Sequence, residues 1–215
     1  EYEKGCILGL DEELISSSRL DDLCMVFSAL KGLIDSKENK STKVFIAIDN
    51  EEIGSLTAQG ARSSFIKTTL ERIALSLEKD KEEFFMSLTN SSMISSDVAH
   101  AVHPNQGDKC DPTNRPILGG GPVIKIAASG SYSTDSFASA IFQSVCESAG
   151  VPCQKFVNRS DMRGGTTIGP MSAADLSIPV MDIGTPLLAM HSVRELGSVK
   201  DNYYTAKAFT EFYNL

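Results

Sequence analysis

Asp49, Asn50, Glu51 and Glu52 follow directly on the apolar run KVFIAI, so three carboxylates and an amide cluster at the end of what reads as a buried strand. Such a cluster is either a solvated turn or a site. Two adjacent glutamates can divide the work of hydrolysis, one holding a metal while its neighbour takes a proton from water. Asp21 in SSRLDDL, Asp97 in SSDVAH and His191 in LLAMHSVRE are the groups that could join them. Each also has a plain structural reading. Asp21 and Asp22 suit the positive end of a helix, a contribution of roughly 0.3–1 kcal/mol, and a histidine among apolar residues is often a satisfied core side chain. Brought to one rim, however, these carboxylates would repel unless cations held them. Oxygen and nitrogen donors without thiolates suit zinc, manganese or cobalt, and two such ions sharing a carboxylate at about 3.5–4 Å is a known arrangement for hydrolysis.

The elements that must position these residues are legible from periodicity. Apolar residues three or four apart from Leu20 to Ile34 predict a helix, with Ser17 or Ser18 as its cap. Residues 43–49 predict a strand, residues 64–79 a second helix with a solvated end near Glu78 to Glu83, PVIKIAA a further strand, and residues 134–149 a helix. QKFVN and IPVMDIG read as strands, and the last dozen residues as a closing helix. The long loop from His103 to Gly121, rich in Pro, Asn, Asp and Gly, marks a functional segment. Strands alternating with helices predict a three-layer α/β sandwich with a mixed, largely parallel sheet, whose sites gather beyond the carboxyl ends of strands.

Bulk properties narrow the function classes. The 215 residues are 41% hydrophobic and 22% charged, as expected of one globular domain. A formal charge of -8 disfavours nonspecific binding to nucleic acid or an anionic membrane surface. No apolar run approaches the roughly 20 residues of a membrane-spanning helix. Five widely spaced cysteines without a C-x-x-C pair predict reduced thiols and a soluble, cytoplasmic protein. Walker, G-x-S-x-G and H-E-x-x-H motifs are absent, and the GGG at Gly119 to Gly121 precedes a strand, as a turn does.

In order along nearly the whole chain, SSRLDDL, IDNEEIGSLTAQGARS, SSDVAHAVHPN, GPVIKI, RSDMRGGTTIGP and MDIGTPLLAMHSVRE resemble the dizinc aminopeptidases that include aspartyl aminopeptidase and vacuolar aminopeptidase I. The resemblance implies a metal-dependent aminopeptidase acting on peptides, with two divalent ions per chain, zinc before manganese or cobalt. It implies that Asp21 bridges the ions, Glu52 and His191 complete one, Asp97 helps hold the other, and Glu51 is the general base. Lys125 in VIKI matches a lysine facing an acidic substrate side chain. Asp161 in RSDMRGG reads equally as a wall of the site or as part of a glycine-rich turn.

Two departures stand out. Asp22 replaces the asparagine usual after the bridging aspartate, and a His-x-Asp motif and an inserted oligomerisation domain have no counterpart upstream of Asp21. Residues 1–215 are therefore expected to be the carboxyl-terminal part of a catalytic domain whose full-length form is a homo-oligomer. The alternative is a noncatalytic assembly module lacking one metal ligand.

Overall fold

The computed structural model describes residues 2–162 and 164–215. Near the start, Cys6–Leu8 (β1) and Leu14–Ser17 (β2) pair antiparallel. The predicted first helix forms as α1, Leu20–Asp35, although Asp21 and Asp22 leave helical geometry (ψ 113 and 22) before the regular turns begin. The second predicted helix stops sooner, as α2, Phe65–Ser76. What reads in the sequence as its solvated end is instead a separate helix, α3, Lys81–Thr89. A capping box starts it: Asp80 accepts from the Glu83 N–H at 2.8 Å while the Glu83 carboxylate accepts from the Asp80 N–H at 3.0 Å.

Strands β3, Met93–Ser96, and β4, Ala99–His100, lead into the long loop. Beyond it lie β5, Val123–Ile126, then α4, Ser136–Ala149, capped by an Asp135 carboxylate that accepts from the Ala138 N–H at 2.8 Å, and β6, Gln154–Val157. The remainder is α5, Gly169–Leu176, β7, Val180–Gly184, β8, Pro186–Leu188, β9, Glu195–Ser198, and α6, Val199–Tyr213.

The strands form two sheets. In the first, ordered β3-β7-β5-β6, β3 runs parallel to β7 and β5 parallel to β6, with β5 antiparallel to β7. The second, β1-β2-β9-β8-β4, is antiparallel apart from β4 on β8. Along β7 the side chains alternate: Met181 and Ile183 enter the core shared with α1, α4 and α6, whereas Asp182 faces the start of α5, where a Cβ on Gly169 would stand 2.3 Å from its carboxylate. Helices thus cover both faces of this sheet, giving the α/β sandwich with mixed sheets that alternation of elements predicts. Met25, Ile124, Phe142, Met181 and Ile183 are fully buried, each contributing about 1.5–3 kcal/mol. Two glycines permit close approach. Gly32 lets α1 lie on α6, since a Cβ there would meet Phe209 Cβ at 2.6 Å, and Gly184 lets β7 pass the Asp97 carbonyl, which a Cβ would approach to 1.9 Å.

The strand predicted at residues 43–49 does not form. The segment is extended, yet among the described residues no backbone N–H from residues 42–48 donates a hydrogen bond, and a cleft of about 1090 Å³ separates it from β3. Its apolar, β-branched composition makes it competent for a strand. A ladder also needs a partner about 4.8 Å away, which local sequence cannot supply.

Asp201, buried at the first turn of α6, accepts from the N–H groups of Gly119 and Gly121, both at 2.7 Å, and so pins the glycine turn ahead of β5. Burial pushes its pKa up to about 6 from 3.8, against the pull of those two donors. The fold therefore holds this proton to higher pH than the unfolded chain does, so the contribution is full below the unfolded pKa and is lost as pH rises through the folded one. Between about pH 4.5 and 7 the chain is expected to lose about 2 kcal/mol relative to Asp201→Asn, measured as the difference in slope of urea-unfolding stability against pH.

Candidate metal centre

Four segments converge at one end of the sheet. Asp21 and Asp22 come from the start of α1, Glu51 and Glu52 from a single 3₁₀ turn, Asp97 from the residue after β3, and His191 from the loop between β8 and β9. Three left-handed residues other than glycine aim these groups: Arg19 (φ 58), Asn50 (φ 63) and His191 itself (φ 66). Such backbone costs roughly 1–3 kcal/mol per residue and gathers at functional sites, where surrounding structure imposes it.

The donor atoms fall into two groups joined at Asp21. In the first, His191 Nε2 lies 3.1 Å from Asp21 Oδ2 and 3.3 Å from Glu52 Oε2. In the second, oxygens of Asp21, Asp22 and Asp97 lie within 4.8 Å of one another. Buried Glu195 ties the parts together, accepting from the His191 N–H at 2.8 Å through Oε1 and from the Asp21 N–H at 2.9 Å through Oε2. Lys125 closes the far side. Its buried ammonium donates to Asp97 Oδ2 at 2.8 Å and stands 5.6 Å from the Tyr132 ring centroid.

The electrostatics show what this arrangement lacks. Burial first, then Asp97, Glu52 and Glu195, pushes the Asp21 pKa up to about 8. Burial and the neighbouring Asp97 and Asp21 carboxylates hold Asp22 well above its usual range, although a Val98 N–H donates to it. One of its oxygens, Oδ1, is shut from solvent without a hydrogen-bond partner. Glu51 is also raised, by burial and then by Asp97 and Glu52. Burial acts to lower the Lys125 pKa, but its pairing with Asp97 outweighs that and raises it. Crowded carboxylates of this kind accept either protons or a cation. A divalent ion at each group would take up the orphaned oxygen and offset the repulsion, so the residues present fit a carboxylate and imidazole metal site.

Of the groups singled out in the sequence, the fold gathers Asp21, Glu51, Glu52, Asp97, His191 and Lys125. Asp161 is exposed and paired with Arg159 at 2.7 Å, and among the described residues it makes no hydrogen bond or ion pair to the centre. Glu195 is the residue that motif reading passed over. Its position four residues after His191, within the same matched stretch, was its one signal.

An α/β scaffold that joins two donor groups through one aspartate has the layout of a metallohydrolase. The chain belongs to the M18 peptidase family, described as aminopeptidase I zinc metalloprotease, which it matches over residues 1–213. A probable M18 family aminopeptidase 2 of Clostridium novyi is 60% identical over 215 residues, covering 100% of this chain and 50% of that protein. Aspartyl aminopeptidase 1 of Schizosaccharomyces pombe is 41% identical over 219 residues, covering 99% of this chain and 46% of that protein. In the cryo-EM structure of the Ape4 and Nbr1 complex, one chain superposes with a TM-score of 0.92 at 40% identity, covering 98% of this chain and 41% of that one. The chain thus spans about half the length of the relatives it matches.

Proposed function

We propose that these residues form the carboxyl-terminal part of the catalytic domain of a zinc aminopeptidase, which removes the amino-terminal residue of peptides. The observation that carries this reading is the pair of donor groups sharing Asp21, with half-buried Glu51 alongside. One ion would sit with Asp21, Glu52 and His191, and a second with Asp21 and Asp97, with Asp22 beside it. Bound zinc supplies a Lewis acid that polarises a carbonyl and acidifies water. Glu51, whose raised pKa suits proton transfer, takes a proton from the attacking water and returns it to the leaving amine. Glu195 is a positioning residue that holds the Asp21 and His191 backbones together. A noncatalytic module leaves this clustering without a use.

The whole protein is proposed to be a cytoplasmic homo-oligomer assembled through an inserted domain outside these residues. Five free thiols accord with a reducing compartment, and among the described residues no helix is long and apolar enough to cross a membrane. The name of the Schizosaccharomyces relative, with the Lys125 ammonium behind Asp97 at the edge of the centre, favours acidic amino-terminal residues. Asp161, exposed beside Arg159, is the weaker candidate for substrate contact.

The test measures terminal-residue release by the whole protein from peptides with free or acetylated amino ends. Release only from free ends, lost to a chelator and restored by zinc, is the expected result; equal cleavage of blocked peptides would remove the aminopeptidase reading. Lys125→Ala should lose activity on Asp-leading and Glu-leading peptides while retaining it on Leu-leading ones. A wild type that favours Leu from the outset leaves Lys125 with only the task of holding Asp97.

A further inference from the structure

Cys146 and Cys153 meet between the last turn of α4 and the start of β6. Cys146 is buried in the core, and half-buried Cys153 packs against the same cluster. Both are free thiols, and the Cys146 thiol donates a hydrogen bond to the Cys153 sulfur. A disulfide brings its sulfurs to about 2 Å, a short closure from such contact. The pair stands clear of the metal centre, since β6 and β3 are opposite edges of the four-stranded sheet, three strand spacings or about 14 Å apart.

The backbone imposes this contact from both sides. At the end of α4, left-handed Gly150 (φ 63) donates its N–H to the Glu147 carbonyl at 3.0 Å, and the Val151 N–H donates to the Cys146 carbonyl at 3.0 Å. Val151 is buried in the same cluster, so the chain folds back over Cys146 at once. Pro152 then restricts the backbone, and it abuts the glycine turn, where a Cβ on Gly121 would stand 2.1 Å from its carbonyl oxygen. Beyond Cys153, the Gln154 N–H donates to the Pro122 carbonyl at 2.9 Å. The Gln154 side chain accepts from the Ile117 N–H at 2.9 Å and donates to the Ile117 and Gly121 carbonyls at 3.0 and 3.1 Å. Both thiols are thus held in place before any reaction. The hydrogen bond from Cys146, against burial and with help from Lys155, holds the Cys153 thiol below its ordinary range. The same bond, together with burial, pushes Cys146 up. Cys153 is the better nucleophile at neutral pH, because the thiolate is the reactive form.

We infer that Cys146 and Cys153 form a reversible oxidation site, at which a hydroperoxide oxidises Cys153 and Cys146 resolves it into a disulfide that staples α4 to β6. The Cys153 thiolate attacks one peroxide oxygen. The O–O bond breaks, a sulfenic acid forms, and the departing oxygen takes up the proton that Cys153 released. The Cys146 sulfur then attacks the Cys153 sulfur, the S–O bond breaks as the S–S bond forms, and hydroxide leaves with the Cys146 proton as water. Two thiols are oxidised by two electrons in all, and the peroxide is reduced. Oxidation of Cys153 also removes the thiolate acceptor that holds the proton on Cys146, so the first step prepares the second. The site rests on the two thiols and the turn that joins them, and is independent of the peptidase reading.

The experiment treats the native whole protein with hydrogen peroxide, alkylates the remaining thiols and maps the cysteines by mass spectrometry. Digestion after glutamate cuts at Glu147, between the two cysteines, so a disulfide joins two separate peptides. The expected product is a Cys146–Cys153 link that dithiothreitol reverses, formed in about tenfold or greater excess over any other cysteine pairing because the fold holds these sulfurs together. In Cys146→Ser, Cys153 should stop at the sulfenic acid and be labelled by dimedone. In Cys153→Ser, Cys146 should keep its thiol and stay unlabelled. Absence of the link in the wild type, or other pairings in equal yield, overturns the inference. Dimedone labelling of Cys146 in Cys153→Ser overturns the assignment of Cys153 as the residue attacked first. The wild-type map needs neither variant, so misfolding of a serine variant leaves the test intact.

Discussion

Glu51→Gln in the whole protein is expected to leave zinc content and melting temperature unchanged while kcat falls by roughly 10²-fold or more, the usual scale for losing a general base. The amide fills the same space, and Glu51 belongs to neither donor group. What changes is the capacity to take a proton. Glu52→Gln should behave oppositely, because Glu52 Oε2 stands 3.3 Å from His191 Nε2 within the first group and a neutral amide is a poorer ligand than a carboxylate. Zinc stoichiometry and turnover are measured on both variants. Zinc loss from Glu51→Gln with retention in Glu52→Gln reverses the two roles, and full activity in both returns the stretch to a solvated turn, whose charges matter within about ±0.5 kcal/mol.

Asp21→Ala should empty both sites at once, since its carboxylate is the one member the two donor groups share. Elemental analysis of purified protein provides the readout: two zinc ions per chain in the wild type and none in the variant. A structural role for Asp21 makes a different prediction about the metal-free protein. Without metal this carboxylate is buried among Asp97, Glu52 and Glu195, and its pKa is pushed up to about 8. A group raised in this way costs stability as pH rises past its unfolded value, so the metal-free alanine variant should melt no lower than the metal-free wild type at neutral pH. The backbone link from the Asp21 N–H to Glu195 survives the substitution. Retention of both ions would remove Asp21 from the bridging role, and a large drop in metal-free stability would make it a structural residue.

The chemistry was written in residue types and the helices in periodicity, whereas the pairings depended on distance. Leu20 to Ile34, residues 134–149 and the closing stretch carry apolar spacing that only a helix can bury on one side, so α1, α4 and α6 were legible from local pattern. Asp21, Glu51, Glu52, Asp97 and His191 were marked by residue type as groups that could share a site, and the fold brings them to one end of the sheet. The antiparallel strands β1, β2, β8 and β9 were not legible. They are short, and their partners lie far along the chain, as when Leu14 pairs with Ser198. Residues 43–49 mark the limit from the other side: a sequence that prefers extended backbone remains unladdered where no edge adjoins it. Glu195 and the Lys125 pairing were likewise settled only in three dimensions. A carboxylate becomes a brace for Asp21 and His191, and an ammonium a partner for Asp97, by proximity across the fold, and burial gives those contacts their strength.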